Sequence, residues 1–311
     1  MIPRACLRTT IALTAFSLIA LGLCPNCLAQ KTLAWKFRKG SVTNLLIEQD
    51  TNLQLENAGT AKLATNQTQQ LQTTNISWIV KDISPQGLAS IEQTLHRVQL
   101  DLKSSVGNFV VDTSNNQPLT GLGEVMAKGI RPLAGARFLV KTKSDGEVAE
   151  VVIPEDVKNK LNEGSGALSV AGLKEIAANG TLRFPTKLID VGENWTAQYD
   201  MDMPPFGKLI VNTTYQYLGE ENLTGKVLDR IKATTAVRVA DPISNSGLKL
   251  TSQESGGMVW FDNSRGMIDH SEFKQEMSMK LVKPSQDPTK PSLDLKQVIK
   301  QTMKLRYTPQ Q

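Results

Sequence analysis

Trp195-Thr196-Ala197-Gln198-Tyr199-Asp200-Met201-Asp202-Met203 sets an apolar residue on every odd position and a polar one on every even position, until Pro204-Pro205 interrupts it. A period of two marks a half-buried strand, because successive side chains leave a pleated backbone on opposite faces. Past the prolines, Leu209, Val211, Tyr215 and Tyr217 keep the odd parity, and Val227, Ile231, Ala233, Val237 and Val239 follow in turn. Three strands in meander order are the direct reading. Leu248 to Phe261 and Met267 to Leu281 form a further pair around Asp262-Asn263-Ser264-Arg265-Gly266.

Upstream, the same pattern yields an earlier β block. Leu33, Trp35 and Phe37 alternate with Ala34, Lys36 and Arg38, which predicts a strand; Gly40 punctuates, and Leu45, Ile47, Leu53 and Leu55 share one parity, which predicts its hairpin partner. Thr60 to Thr74 is dominated by Thr, Gln and Asn and reads as an exposed strand or a long connection. Trp78 and Val80 lead to the turn Ser84-Pro85-Gln86-Gly87 and a return strand from Leu88 to Lys103. In that return Ala89, Ile91 and Leu95 have the opposite parity to Val98, Leu100 and Leu102, so a bulge near His96 and Arg97 is expected. Asn108 to Thr113 reads as a short strand, and Leu122, Val125, Met126 and Ile130 fall at helical spacing. Ser144-Asp145-Gly146 has the chemistry of a tight hairpin turn between Phe138 to Lys143 and Val148 to Ile153. Pro154-Glu155-Asp156 opens a helix closed by Gly164, and a second helix is expected from about Ala167 to Ala178, ended by Asn179-Gly180.

The fold class is therefore mainly β with minor α. Two antiparallel β-meander blocks form a large curved sheet, sandwich or half-barrel, with two or three short helices inserted between them. The expected organisation is a signal peptide at 1–29 and a β-rich domain at 30–283, divided into a β block at 30–153, a helical insertion at 154–180 and a β block at 181–283. A Pro-rich linker follows at 284–292, and a C-terminal strand or helix at 293–311. Ile299-Lys300-Gln301-Thr302-Met303 echoes Phe273-Lys274-Gln275-Glu276-Met277 and favours the strand, while Leu295, Ile299 and Met303 also fit a helical spacing. Ile76 to Leu102 and Val211 to Val239 share a plan, which fits either an internal duplication or the generic likeness of two meanders.

Arg4 and Arg8 ahead of the apolar run Ile11 to Leu23, with small residues at Cys27 and Ala29, have the pattern of a secretory signal cleaved near Gln30. An uncleaved anchor would need ~20 apolar residues, more than this run offers; lipidation at Cys24 or Cys27 would follow Leu23 or Asn26, poor residues at that position. All three cysteines lie in this leader, so the expected mature chain has no disulfide, thiolate nucleophile or cysteine metal site. Its location is then the periplasm or the extracellular space, with no transmembrane segment after cleavage. The net charge of +5 falls to +3 without Arg4 and Arg8, and no block of basic residues is present, which argues against nucleic acid and polybasic lipid partners. Aromatic residues at 5 % argue against the aromatic girdles of an outer-membrane barrel.

Catalytic chemistry is sparse. His96 and His270 are the sole histidines, one at the parity switch and one on a polar face, and both read as surface or bulge residues. Gly121-Leu122-Gly123 and Gly256-Gly257 lack the context of phosphate cradles. Glu155 with Asp156, and Glu220 with Glu221, fall at a helix start and a turn, and Asp262 with Asp269 matches no calcium loop. No catalytic residue, cofactor or metal site is assigned. Six Asn-x-Ser/Thr sites, at Asn66, Asn75, Asn179, Asn194, Asn212 and Asn222, are treated as incidental.

The most specific string is Leu182-Arg183-Phe184-Pro185-Thr186-Lys187-Leu188-Ile189-Asp190-Val191-Gly192-Glu193-Asn194-Trp195. It resembles the F-x-x-P, then V-x-x-G-[DE]-x-W signature of an exported bacterial family of unknown function, as do Trp35-Lys36-Phe37-Arg38-Lys39-Gly40 and the hairpin around Gly266. The resemblance implies export and β architecture and brings no activity or catalytic residue. The expected function is a non-enzymatic envelope protein, a binding or structural module whose partner is a hydrophobic small molecule or an envelope protein. One alternative is a periplasmic carrier of a lipid or other hydrophobic ligand, with Met201, Met203, Phe206, Met258, Met277 and Met279 lining an adaptable cavity or, more plainly, filling an ordinary core. The other is a carboxylate-dependent hydrolase, which needs only two acids facing each other.

Overall fold

The computed structural model describes residues 30–57, 66–105, 107–161, 174, 177, 181–203, 207–240, 248–283 and 293–309. The expected signal, the second helix, Phe206 and the Pro-rich linker lie outside these residues, entirely or nearly so. The alternating stretches become twelve strands: β1 (Val42–Asn57), β2 (Asn66–Ile83), β3 (Ala89–Ser104), β4 (Gly107–Asp112), β5 (Arg137–Thr142), β6 (Val148–Val152), β7 (Asn194–Met203), β8 (Gly207–Leu223), β9 (Lys226–Val239), β10 (Leu248–Asp262), β11 (Met267–Lys283) and β12 (Leu293–Pro309). Two helices, α1 (Leu122–Ile130) and α2 (Glu155–Leu161), fall between β4 and β7.

All twelve strands belong to one antiparallel sheet in the order β6-β5-β3-β2-β1-β12-β11-β10-β9-β8-β7, with β4 paired to β3. The sheet is open, ending at β6 and β7. The first meander runs outward from β1 to β6, and the second runs inward from β7 to β12. They meet where β12 lodges between β1 and β11, with Tyr307 opposite Leu45 and Met303 opposite Phe273. The last segment is thus a strand at the middle of the sheet, its odd-numbered apolar residues matched to the odd parity of both neighbours. His96 is the extra residue of the expected bulge: Ile76 pairs with Leu95 and Asn75 with Arg97, so Leu95 and Val98 share a face.

The face that carries Tyr307, Phe261 and Trp195, the inner face, is closed at one end by two straps, residues 30–38 and 182–189. Leu33 to Phe37, expected from its alternation to be a strand, is not one. Within that strap one isolated bridge, Lys31 to Ile189, is formed. Its backbone is instead taken up by two hairpin turns: Trp35 N donates to Ser144 O at 2.7 Å and Lys36 N to Gly266 O at 3.0 Å. An extended segment alternates wherever one side meets a core, so Leu33 and Trp35 are buried and Lys36 and Arg38 exposed without any sheet. The contact is close enough to require glycine. A Cβ on Gly146, at φ +86°, would lie 2.1 Å from Leu182 O, and one on Gly266 would lie 2.3 Å from Lys36 N.

Those two turns belong to hairpins separated by several strand spacings of ~4.8 Å each, yet they touch consecutive residues of one strap. The sheet must therefore curl around this end. Inside the curl Trp35 packs on Phe37, Trp78, Phe184 and Phe261 at centroid distances of 5.8–6.3 Å, and Phe261 is fully buried. The second strap explains the string from Phe184 to Trp195. Phe184 enters the core, Gly192 at φ +89° turns the chain, and Trp195 stacks on Tyr215 while its Nε1 donates back to Arg183 O at 2.7 Å. Along the inner face, α1 covers Val98, Leu100 and Val111 through Ala127 and Ile130, and Val157 of α2 packs with Leu133 and Ile153.

β10 pairs with β9 only from Gly256 to Phe261. Beyond that point the Gln253 side chain spans the gap, its amide accepting from Val237 N at 2.8 Å and donating to Thr235 O at 2.7 Å. A side-chain amide thus stands in for a missing rung of the ladder.

Candidate functional site

Away from the strapped end, the inner face of the central strands carries two mostly apolar rows. Register runs one of them through Leu53, Ile299, Met277 and Gln253, and the next through Leu55, Gln297, Met279 and Leu250. Met279 is buried, and Leu53, Leu55, Leu250, Met277 and Ile299 are half-buried. On the opposite face the successive rows read Asn52, Lys300, Glu276, Glu254, then Gln54, Val298, Ser278, Ser252, then Glu56, Lys296, Lys280, Lys249. At this height the sheet therefore has one mostly apolar side and one polar side, whose charges lie in the rows above and below Val298.

Of the methionines singled out from sequence, the structure brings Met277 and Met279 together on this band. Met258 does not join them: it pairs with Glu272 and Lys232 on the charged face. Met201 and Met203 pair with Leu209 and Gly207 at the far edge of the sheet, four strand spacings of ~4.8 Å from β11 along the sheet. Phe206 is outside the described residues.

Two clefts are lined by other residues. A shallow one of about 440 Å³ on the charged face is bordered by Asp50, Glu254, Lys274, Glu276 and Lys300. Glu254 and Glu276 are direct register partners there, which is the arrangement of two acids a hydrolase would use. Both are exposed, and Glu276 is paired with Lys300 at 3.1 Å. The second cleft, about 180 Å³, lies at the strapped end between Trp35, Phe37, Trp78 and Tyr307.

Both histidines make specific contacts that the sequence did not announce. His96 Nε2 lies 2.7 Å from Ser77 Oγ, because the bulge re-aims its side chain towards β2. Ser77 is buried and, among the described residues, no acid orients the ring, so the pair lacks the third member of a triad. His270 stacks on Trp260 at 4.4 Å and meets Asp269 at 2.9 Å, and Asp269 also accepts from Lys226. Among the described residues no three His, Cys, Asp or Glu side chains converge as a metal site.

The strongest buried charge is Asp229, 2 % exposed, which accepts from Lys31 Nζ at 2.8 Å and from Tyr217 OH at 2.7 Å. Burial opposes the Lys31 charge, but hydrogen bonds and charges from Asp229 and Glu220 outweigh it and hold the amine above its ordinary value. Burial, helped by Asp229, pushes the Tyr217 phenol up. This triad anchors the start of the first strap to β8 and β9.

No protein-family model matches the chain, and no curated protein matches it. Among solved structures, lipovitellin, described for its lipid–protein interactions, aligns at TM-score 0.48 and 13% identity over 88% of this chain and 26% of its own. This chain thus spans about a quarter of the lipovitellin chain. An outer membrane channel from Pseudomonas putida F1 aligns at TM-score 0.24 and 9% identity over 88% of this chain and 97% of its own. OccK7 from Pseudomonas aeruginosa aligns at 0.20 and 7% identity, over 88% of this chain and 100% of its own. Likenesses at these scores assign no function.

Proposed function

We propose that the chain is a non-enzymatic binding module of the bacterial envelope that carries a hydrophobic molecule on the inner face of its sheet. The supporting observation is the band formed by Leu53, Leu55, Leu250, Met277, Met279 and Ile299 on four neighbouring central strands, interrupted at Gln297 and backed by a mostly polar face with charged residues. Methionine and leucine side chains there adapt to an acyl or isoprenoid chain without fixed polar partners. The curl imposed by the straps turns this band toward the concave side.

The test combines composition and mutation. Protein purified from its native envelope is extracted with organic solvent and analysed by mass spectrometry, and delipidated protein is titrated with a fluorescent fatty acid. A stoichiometric hydrophobic ligand is expected, with binding lost in Leu53→Ser/Ile299→Ser and kept in Lys300→Gln on the opposite face. Clean extracts together with a double variant that binds the probe like the wild type would replace this reading with docking of an envelope protein.

A further inference from the structure

The cleft at the strapped end has a composition that simple core packing does not require. Trp35, Phe37, Trp78 and Tyr307 form apolar walls, and Lys36, Arg38 and Arg265 are the charged residues at its lining; none of the lining side chains is acidic. Lys36 is engaged by Asn263 O at 2.6 Å, and Arg265 by Met267 Sδ at 2.9 Å with Asp262 nearby. Arg38 is exposed, and its guanidinium has no ion-pair or hydrogen-bond partner among the described residues.

Two further donors line the same space without acceptors. Tyr307 is 7 % exposed and its hydroxyl has no hydrogen-bond partner among the described residues. Burial pushes its phenol above the ordinary value, so it stays a neutral donor at any physiological pH. The Nε1 of Trp78, whose ring meets Tyr307 edge-on at 5.4 Å, is buried and unbonded. A buried donor left without an acceptor is costly and rare in folded proteins. Here one of them, Trp78 Nε1, borders the same aromatic cleft as the Tyr307 hydroxyl and an unpaired guanidinium.

We propose that this cleft is a binding site for a small monocarboxylic acid with a flat or short apolar body. The ring walls take the apolar body. The carboxylate accepts from Tyr307 and from Trp78 after a small adjustment of the indole, and pairs with Arg38 at the rim. At about 180 Å³ the space is smaller than the ~300–1,000 Å³ of drug-sized pockets, which restricts the ligand to a benzoate-sized molecule. The site is separate from the apolar band proposed above, and neither depends on the other.

Benzoate is the probe and benzyl alcohol its neutral counterpart, both titrated into the whole protein and followed by heteronuclear NMR of the four tryptophan indole N–H groups. Trp78→Phe assigns the relevant resonance by its disappearance. Benzoate is expected to bind with a Kd of about 1 mM or tighter and to move the Trp78 resonance downfield, while benzyl alcohol binds at least about tenfold more weakly. Arg38→Gln, on the surface, and Tyr307→Phe, which keeps the ring, are each expected to weaken benzoate by about tenfold or more. Equal affinity for the two probes, or no benzoate binding at about ten times that concentration, would overturn the proposal. So would an unchanged affinity in Arg38→Gln, a variant whose folding is not in question.

Discussion

Replacing Lys31 with methionine removes the cation that neutralises Asp229 while keeping much of the aliphatic length. Asp229 is 2 % exposed, and the Lys31 side chain is 26 % exposed. Breaking such a pair from one side costs about 3–5 kcal/mol, because a charge is left buried alone. Tyr217 OH still donates to the carboxylate at 2.7 Å, and Lys31 itself is partly solvated, so the lower end, about 3 kcal/mol, is expected. Lys31→Met/Asp229→Asn removes both charges yet leaves Tyr217 an acceptor, and should lose only about 1 kcal/mol. Urea unfolding followed by tryptophan fluorescence, at constant m, measures both. The pair's sign with pH follows from the raised Lys31 value: its contribution is full below the ordinary lysine pKa of about 10.4 and fades as pH climbs through the folded value. On the alkaline side wild type and variant should therefore converge as the amine loses its proton. A single variant that loses less than about 1 kcal/mol, or a double variant that loses as much as the single, would refute the reasoning.

Trp195→Ala should cost about 3–5 kcal/mol, since the ring is buried against Tyr215 and its Nε1 bond to Arg183 O disappears; an unchanged urea midpoint would show that the strap does not depend on it. Arg97 holds the Asp112 carboxyl well below its ordinary value by hydrogen bonds, the Nε one at 3.0 Å. The stability difference between wild type and Arg97→Leu should stay constant above about pH 4 and shrink as the pH falls below it, and acid titration of both proteins by circular dichroism checks this. Ending the chain after Lys283 removes β12 and leaves β1 and β11 without a shared neighbour. Calorimetry of that form is expected to show no cooperative transition, and a sharp wild-type-like peak would contradict the central placement of β12.

Much of the sheet was legible because a period of two survives in nearly every strand. The parity clash between Leu95 and Val98 located the bulge at His96 for the same reason: an inserted residue is the cheapest way to keep both on one face. The strap from Leu33 to Phe37 was misread as a strand because alternation reports that one side is buried, not what takes up the backbone hydrogen bonds. The position of β12 was invisible, since pairing between distant strands leaves no local signature. The methionines show the limit for sites. Met258 differs in parity from Met277 and Met279, but only the register across the β10–β11 turn shows that it lies on the other face. Nor did any local pattern join Trp35, Trp78 and Tyr307, which three separate segments bring to one cleft.

The seat of β12 also governs when the fold can exist. Leu45 finds its neighbour Tyr307 only in β12, the last of the described strands in chain order, so β1 keeps a bare edge until β12 has been made. Strands whose partners are so remote pay the entropy of closing a very large loop first, and such topologies assemble slowly. Until then the first meander displays an open strand edge that invites pairing with other chains.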